Sequence, residues 1–258
     1  MKDLKKRIRN GDTLLGCWLN MGSSVSAEIV GSAGFDWLLI DFEHGSGSEQ
    51  EVLHQLQALE HSGTASIIRV ESYHRQRIHR MLDFGAEGVM VPRIDNPGDA
   101  ELAAKAIKYQ PEGLRGVAKM NRASAYGTDF DNYLKTEQHE LVGVLQIETT
   151  ESLKHLSKIA AVNGVDVLFI GPMDLSTALG VSGQWEHPLY LDAIEKTARA
   201  ALQAGKAAGI LLPSPDEYSK YFELGYRFIA CGSDIGFVVN GSRNVVQILK
   251  NIKAYKPL

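Results

Sequence analysis

The chain has 258 residues, of which 27 are Lys or Arg and 31 are Asp or Glu, so its formal net charge is −4 at neutral pH. Hydrophobic residues make up 44% of the chain, as in a globular protein long enough to bury one sizeable core. The mild acidity and the lack of a basic block argue against nucleic acid as a partner. No apolar run approaches the roughly 20 residues of a transmembrane helix, and the charged N-terminus lacks the apolar segment of a signal peptide. We therefore expect a cytoplasmic protein with no membrane partner.

Nothing in the sequence divides the chain. It contains no low-complexity stretch, Pro/Ser-rich tether or fixed-period repeat, which predicts a single domain over residues 1–258. The two cysteines, Cys17 and Cys231, are too few for a disulfide framework or a Cys-rich zinc site. Each lies in an apolar stretch, so we expect buried, reduced thiols.

Short apolar runs of four to seven residues recur along the chain, and most are rich in Val, Ile or Leu, as in strands buried on both faces. In chain order they cover residues 14–19, 37–40, 65–70, 89–92, 141–147, 165–170, 207–212 and 228–231. Helical spacing of apolar residues appears between them at 49–61, 76–84 and 188–203. Glycines stand where such helices would end, at Gly34, Gly63, Gly85, Gly164 and Gly225.

Eight strands, each followed by a helix or a helix-bearing insertion, predict an α/β protein with the (β/α)8 TIM-barrel fold. A doubly wound sheet is the alternative. It more often has five to seven strands and a glycine-rich phosphate loop, and neither G-x-G-x-x-G nor G-x-x-x-x-G-K-[ST] occurs in this chain.

Polar residues follow several of the apolar runs, where a barrel has its active site. They are Asp41, Glu43, His44, Arg69, Arg93, Gln146, Glu148 and Asp174. Each has an ordinary explanation by itself: Asp174 could cap a helix, Arg69 could form a surface ion pair, and Glu148 could favour a helix dipole. If all of these explanations held, however, ionisable residues of both signs at several strand ends would meet at one end of the barrel only by accident. The set therefore indicates an active site.

The residue types suggest the chemistry. Glu148 and Asp174 are hard oxygen ligands, which suit Mg²⁺ or Mn²⁺ better than tetrahedral zinc. Arg69 supplies a fixed positive fork for an oxyanion or carboxylate. His44 can act as a general base near neutral pH. Together a metal ion, a cation and a base point to a substrate that forms an enolate from a 2-oxo acid.

Three segments resemble the HpcH/HpaI aldolases, which are class II, metal-dependent pyruvate aldolases such as 4-hydroxy-2-oxoheptane-1,7-dioate aldolase and the 2-keto-3-deoxy-sugar-acid aldolases. The segments are WLLIDFEH at 37–44, LQIET at 145–149 and FIGPMDLS at 169–176. Further matches are PEGLRG at 111–116 and RAS at 122–124, so the resemblance extends from about Leu14 to past Asp234. It implies a TIM barrel of the phosphoenolpyruvate/pyruvate type.

The resemblance also implies catalytic roles. Glu148 and Asp174 would hold the divalent metal ion, Mg²⁺ or Mn²⁺ with Co²⁺ as a further candidate. His44 matches the catalytic base of the family, and Asp83 matches the acidic residue that raises its basicity. Arg69 matches the residue that stabilises the oxyanion of the transition state, a role that a preorganised charge fills well.

Substrate contacts are implied in the same way. Gln146 would hydrogen-bond pyruvate, and the backbone amides around Gly171, Pro172 and Met173 would cradle its carboxylate. Two segments depart from the family pattern: FEHGS at 42–46 stands where GEHAP is common, and KMN at 119–121 replaces smaller or more neutral residues. Because of these departures, the sequence does not identify the aldehyde.

The sequence therefore predicts a lyase that reversibly cleaves a 4-hydroxy-2-oxo acid to pyruvate and an aldehyde through a metal-bound pyruvate enolate. Oxaloacetate decarboxylation or a CoA-ester lyase reaction would use the same enolate chemistry and is the alternative.

Two other classes are less favoured. A class I aldolase needs a Schiff-base lysine, and no lysine ends any of the eight runs. A metal-binding barrel without catalysis would need no base, so the presence of His44, Arg69 and Asp83 argues against it. Family members are commonly hexamers in which the last helix, here about residues 235–255, packs on a neighbouring subunit, so we expect a homo-oligomer.

Overall fold

The computed structural model describes residues 3–252. Eight parallel strands pair in chain order and the last pairs with the first, so the sheet closes into a barrel and the predicted (β/α)8 fold is confirmed. The strands are β1 (Leu14–Leu19), β2 (Trp37–Asp41), β3 (Ala65–Arg69), β4 (Gly88–Val91), β5 (Val142–Ile147), β6 (Val167–Ile170), β7 (Ala207–Leu212) and β8 (Tyr226–Ser233). Each predicted run overlaps one of them.

Helices surround the barrel. They are α1 (Leu4–Asn10), α2 (Ser24–Gly31), α3 (Glu49–Ala58), α4 (Arg75–Asp83), α5 (Pro97–Ile107), α6 (Phe130–Lys135), α7 (Thr150–Lys154), α8 (Leu156–Ala160), α9 (Pro172–Ala178), α10 (Pro188–Gln203), α11 (Tyr218–Glu223) and α12 (Asp234–Asn251). Short 3-10 helices cover Arg122–Gly127, Glu137–Glu140 and Pro215–Glu217. The helix predicted over residues 188–203 has the bounds of α10, and the one predicted over 49–61 ends earlier, at Ala58.

The glycines predicted to end helices adopt the conformation that this role requires. All five have φ between 79° and 97°, in the left-handed region that glycine enters without steric cost. Gly85, for example, follows α4 with φ 94°. These glycines return the chain from the helical layer toward the amino-terminal ends of the strands.

Side-chain caps fix the points where two strand-end loops become helices. Thr149 accepts a hydrogen bond from the Ser152 N–H, and the Ser152 hydroxyl in turn accepts one from the Thr149 N–H. This capping box directly follows Glu148 and so fixes the backbone beside that carboxylate. Ser233 caps α12 by accepting the Gly236 N–H at 3.1 Å.

Large aromatic side chains fill the barrel interior. The rings of Trp37 and Phe228 stack with centroids 4.0 Å apart, and those of Trp18 and Phe169 lie 5.6 Å apart. Trp37 fits because residue 16 is glycine: a Cβ on Gly16 would lie 2.2 Å from the Trp37 ring. Trp18 and Phe169 also line a cavity at the carboxyl end of the strands, so this aromatic layer forms the floor of that cavity.

Two expectations from composition can be compared with the structure. Both cysteines are free thiols, but Cys17 is buried whereas Cys231 is only partly buried, so the prediction of two buried thiols holds for Cys17 alone. Over residues 3–252, no helix combines the length and the apolar character needed to cross a bilayer.

Candidate active site

A cavity of about 470 Å³ opens at the carboxyl ends of the strands, where barrels of this class have their active sites. Seven of the eight strands, or the loops directly after them, contribute to its wall. The predicted site residues in this wall are His44, Arg69, Gln146, Gly171, Pro172, Met173 and Asp174. Glu148 lies directly behind the wall, in contact with Gln146.

Glu148 is a buried carboxylate that accepts hydrogen bonds from two uncharged groups. Its Oε1 accepts the Arg93 N–H at 2.8 Å, and its Oε2 accepts Nε2 of Gln146 at 3.0 Å. Arg93 has φ 52°, a strained backbone conformation for a non-glycine residue, and this conformation aims its N–H at Glu148. Burial raises the pKa of Glu148 to about 7; the Arg93 hydrogen bond and the charge of Arg69 act to lower it, and the charges of Asp174 and Glu43 act to raise it. A cation would stabilise such a group.

Gly171 leaves the space that Glu148 and Gln146 occupy. A Cβ at residue 171 would lie 2.5 Å from Oε2 of Glu148 and 3.2 Å from Nε2 of Gln146. Because φ of Gly171 is −86°, the requirement is for space and not for an unusual backbone. Beside it, Oε1 of Gln146 is buried and has no hydrogen-bond partner among the described residues. An unsatisfied buried acceptor costs about 1–3 kcal/mol, which a donor bound in the cavity would recover.

Arg69, at the end of β3, is buried against Asp41, its register partner at the end of β2. Arg69 Nε donates to Oδ1 of Asp41 at 2.9 Å and Nη2 donates to Oδ2 at 2.7 Å, while Nη1 lies 3.2 Å from Oε2 of Glu43. Burial raises the pKa of Asp41, but Arg69 and the N–H groups of His44 and Glu43 more than offset this and lower it. Asp41 thus occupies one edge of the guanidinium, so only its other edge can contact an oxyanion.

His44 lies at the mouth of the cavity with 68% of its side chain exposed. Its Nε2 is 3.8 Å from Oε2 of Glu43. Burial raises the pKa of Glu43; Arg69 and His44 act to lower it, and Asp41 and Asp174 act to raise it. Glu43 is therefore a carboxylate that faces His44 within the chain.

Within one chain the structure gives Asp83 a partner other than His44, so their predicted pairing is not formed there. Asp83 is the last residue of α4, which starts beyond the carboxyl end of β3 and returns toward the amino-terminal end of β4. There its Oδ1 accepts a hydrogen bond from Nη2 of Arg115 at 2.6 Å. Arg115 is buried and also donates to the Tyr133 hydroxyl at 2.8 Å. Asp83 thus neutralises a buried arginine away from the mouth.

Asn20 also belongs to the site, Asp234 binds it from outside the cavity, and sequence reasoning missed both. Asn20 lines the cavity, and its Nδ2 donates to Oδ2 of Asp41 at 2.6 Å. Asp234 is buried and accepts the Asn20 backbone N–H at 2.8 Å. Their position in the sequence could have identified them. Asn20 directly follows β1 and Asp234 directly follows β8, just as the predicted site residues lie at or after the ends of other strands.

The donor set fits a hard divalent cation. Glu148 and Asp174 present carboxylates, the ligands that Mg²⁺ and Mn²⁺ prefer, and the unpartnered Oε1 of Gln146 lies beside them. Over residues 3–252, no three His, Cys, Asp or Glu side chains form a ready-made metal cage. Two carboxylates suit Mg²⁺, which usually keeps several positions for water and substrate oxygens.

Several proteins of similar sequence are named as aldolases. A hydroxypyruvate/pyruvate aldolase of Roseobacter denitrificans is 39% identical over 246 residues, which is 95% of this chain and 96% of that protein. A 4-hydroxy-2-oxo-heptane-1,7-dioate aldolase of Klebsiella pneumoniae is 38% identical over 238 residues, or 92% and 90% of the two chains.

The fold comparison and the family model agree with these relatives. A solved HpcH/HpaI aldolase/citrate lyase family protein of Burkholderia cenocepacia superposes with a TM-score of 0.93 at 35% identity, covering 97% of this chain and all of the other. The family model of HpcH/HpaI aldolase/citrate lyase matches residues 14–241. The chain therefore belongs to the HpcH/HpaI aldolase/citrate lyase family.

Proposed function

We propose that the chain is a class II pyruvate aldolase, a carbon–carbon lyase that reversibly cleaves a 4-hydroxy-2-oxo acid to pyruvate and an aldehyde. Membership of an aldolase family supports the reaction class. The observation that carries the proposal is the cluster of Glu148, Asp174 and Gln146, whose Oε1 has no partner among the described residues, at one barrel mouth. Such a cluster suits a cation together with a ligand rich in oxygen.

Glu148 and Asp174 would hold the metal ion, Mg²⁺ or Mn²⁺, with Co²⁺ as the third ion to assay. When bound, a divalent ion would polarise the 2-oxo group and stabilise the negative charge that develops there. Gln146 donates to Glu148 through Nε2, so its Oε1 remains to accept from the ligand in the cavity. Pro172 has no N–H, so of the predicted trio only Gly171 and Met173 can donate to the substrate carboxylate.

His44 is the group placed to move a proton at the 4-hydroxyl. It takes that proton, the C3–C4 bond breaks, and the aldehyde leaves. The electron pair of the broken bond stays on the pyruvate half as an enolate, which then takes a proton at C3. The edge of Arg69 that Asp41 does not bind, with Nη1 beside Glu43, would steady the negative oxygen during the cleavage. Glu43, which faces His44, helps to stabilise the imidazolium.

Apart from its charged residues, the cavity is mostly apolar. Its wall includes Met173, Trp185, Leu212 and Pro213, and no lysine lines the cavity among the described residues. The one arginine in the wall, Arg69, binds Asp41 by one edge and is assigned to the oxyanion by the other, so it is not left for a carboxylate on the aldehyde half. We therefore expect aldehydes without a charge to be accepted more readily than aldehydes that carry a carboxylate.

A substrate panel tests the reaction and its metal dependence together. Pyruvate release is measured from a series of 4-hydroxy-2-oxo acids, with neutral and with carboxylate-bearing aldehyde halves, in the presence of Mg²⁺, Mn²⁺ or Co²⁺. We expect release with at least one ion, and none after chelation or with Glu148→Gln. Full activity without metal, or a permanent adduct after borohydride treatment with pyruvate, would refute the class II assignment.

We also propose that the chain assembles into a homo-oligomer, a hexamer if it follows the resemblance. Asp234 is the one buried residue of α12 in the described structure. Large exposed apolar side chains cover the rest of this helix: Ile235, Phe237, Val238, Val239, Val245, Val246, Ile248 and Leu249. A contiguous apolar surface of this kind marks an interaction site in soluble proteins. A second copy of the chain, offering the same helix, is the proposed occupant.

A further inference from the structure

We propose that Asn20 and Asp234 are positioning residues that hold the Arg69 guanidinium through Asp41. The inference rests on the proposed function, because Arg69 is assigned to stabilise the oxyanion of the cleavage. Its basis is one continuous set of hydrogen bonds that runs from the first turn of α12, through the end of β1, to the ends of β2 and β3.

Asp41 is the residue that fixes Arg69, and it is fully buried at its side chain. Both its oxygens bind the guanidinium, as described above. Oδ2 takes one further donor, Nδ2 of Asn20 at 2.6 Å, and Oδ1 takes two, the N–H groups of Glu43 and His44 at 3.1 and 3.2 Å. These additional donors set the plane of the carboxylate, and that plane sets the plane of the guanidinium.

Asp234 fixes Asn20 in turn. Its Oδ1 accepts the Asn20 N–H at 2.8 Å, and its Oδ2 accepts the Met21 N–H at 3.2 Å and the Ser26 hydroxyl at 2.7 Å. The Ile235 N–H donates to Oδ1 as well, at 2.8 Å. Asp234 is buried and does not line the cavity. A buried carboxylate that receives four donors is held in one orientation, because losing any donor leaves the charge less solvated.

The consequence for catalysis is specific to Arg69. Without the Asn20 amide, Oδ2 of Asp41 keeps one donor, and the Asp41–Arg69 pair can rotate within the pocket. The oxyanion contact comes from the outer edge of Arg69, so such a rotation moves the donor away from the point where charge develops. Because Asp41 loses one hydrogen bond to a charged oxygen, we expect Asn20→Ala to lower kcat on the order of tenfold. The affinity for metal, held by Glu148 and Asp174, should not change.

A double-mutant cycle tests this role against a direct or a merely structural one. The proteins are wild type, Asn20→Ala, Arg69→Lys and the double variant, with kcat and KM measured for each. We expect Asn20→Ala to lower kcat with KM nearly unchanged in the wild-type background, and to have little further effect once Arg69 is lysine. Losses that multiply would overturn the proposal, since Asn20 would then act on the substrate or on the fold independently of Arg69.

Two further variants complete the experiment. Asn96→Ala is a matched control: it also deletes a side-chain amide at a strand-to-helix loop, but its bonds reach Gly98 and Asp99 and not Arg69. It should lose stability without the selective loss of kcat. Ser26→Ala removes one donor from Asp234 and should lower kcat by less than Asn20→Ala does. An equal loss of kcat in Asn96→Ala, or an unchanged kcat in Asn20→Ala, would contradict the proposed relay.

A readout that does not depend on activity separates this inference from the proposed function. The ¹⁵N NMR signal of the Arg69 Nε–H reports its order and its exchange with solvent. We expect an ordered, protected Nε–H in wild type and in Asn96→Ala, and faster exchange in Asn20→Ala. If the wild type releases no pyruvate while this pattern holds, the proposed function fails and the positioning role stands. An equally protected signal in Asn20→Ala would overturn the positioning role.

Discussion

The planar guanidinium of Arg69 contacts two carboxylates at once, those of Asp41 and Glu43. Nε and Nη2 bind the two oxygens of Asp41, while Nη1 faces Glu43 at the cavity. Lysine would keep the charge but offers a single nitrogen, which cannot hold a carboxylate by two parallel bonds and also reach an oxyanion. We expect Arg69→Lys to lower kcat by about 10²-fold or more, the effect of losing one preorganised donor. Steady-state kinetics with a near-normal kcat would reduce Arg69 to a structural ion pair.

The Asp41–Arg69 pair should also make the free energy of unfolding depend on pH. The pKa of Asp41 in the folded chain lies below its ordinary value, which is about 3.9 in an unfolded chain. Its stabilisation is therefore fully present above about pH 3.9 and is lost as the pH falls through the folded pKa. The advantage of wild type over Asp41→Asn in free energy of unfolding should be steady near neutral pH and shrink below about pH 4. Urea unfolding at a series of pH values measures it, and an advantage that grows on acidification would contradict this account.

Gly171 gives a residue-scale test of the carboxylate cluster. A Cβ there would meet Oε2 of Glu148 at 2.5 Å, although the backbone of Gly171 suits any residue. Gly171→Ala should thus displace the Glu148 carboxylate and weaken metal binding at least tenfold, with the fold retained. Isothermal titration with Mn²⁺ measures the metal affinity, and circular dichroism checks the fold. Gly116→Ala is the control, because no atom lies within 4 Å of the added Cβ and its φ is not positive. Equal metal affinity in both variants would show that Glu148 is not a metal ligand.

Individual residues differ in how well the sequence predicts them. Glu148 and Asp174 are identifiable because each lies inside a specific motif at the end of an apolar run, Glu148 directly after it and Asp174 four residues beyond it. The Asp41–Arg69 pairing depends on the register of β2 and β3, which places the two side by side and which local sequence does not specify. For Asp83 the motif predicts a role beside His44, whereas within one chain the course of α4 places it beside Arg115.

At the scale of elements, α12 is the part of the chain whose role a single subunit does not explain. Its apolar residues are exposed along the helix, so we expect a wild-type mass that is a multiple of 28.3 kDa by light scattering. Val245→Asp combined with Leu249→Asp should lower that mass without destabilising the barrel, because both side chains are exposed in the single chain. Gln247→Asp adds a charge on the same helix and should leave the mass unchanged. A monomeric wild type would contradict the proposed assembly.

Strands and long amphipathic helices were predictable because each has a periodic pattern of apolar residues. The bounds of α10 agree with the prediction, since its proline start and its apolar stripe are unambiguous. Short helices such as α7 and α8, of five residues each, contain too few turns to show a period. The same holds for the segment between α5 and β5, whose Ala125 and Tyr126 adopt positive φ.

The whole molecule follows from the alternation of strands and helices more directly than from any single residue. Parallel strands whose carboxyl ends meet at one mouth explain why residues as far apart in sequence as Asn20 and Asp234 share one network. The aromatic layer of Trp18, Trp37, Phe169 and Phe228 closes the barrel beneath that mouth. Reaction class thus depends on the positions that the fold brings together, whereas the choice of aldehyde depends on loops that vary independently of it.

The exchange of the methyl protons of pyruvate with solvent deuterium is the most direct test of the central claim, that Glu148 and Asp174 support metal-dependent formation of the pyruvate enolate. The exchange is followed by ¹H NMR in D₂O with no aldehyde present, so it reports the enolate step alone. We predict exchange in wild type with Mg²⁺, none after chelation, recovery when Mg²⁺ is restored, and little in Glu148→Gln or Asp174→Asn. Exchange at the wild-type rate in the chelated protein or in both variants would contradict the account.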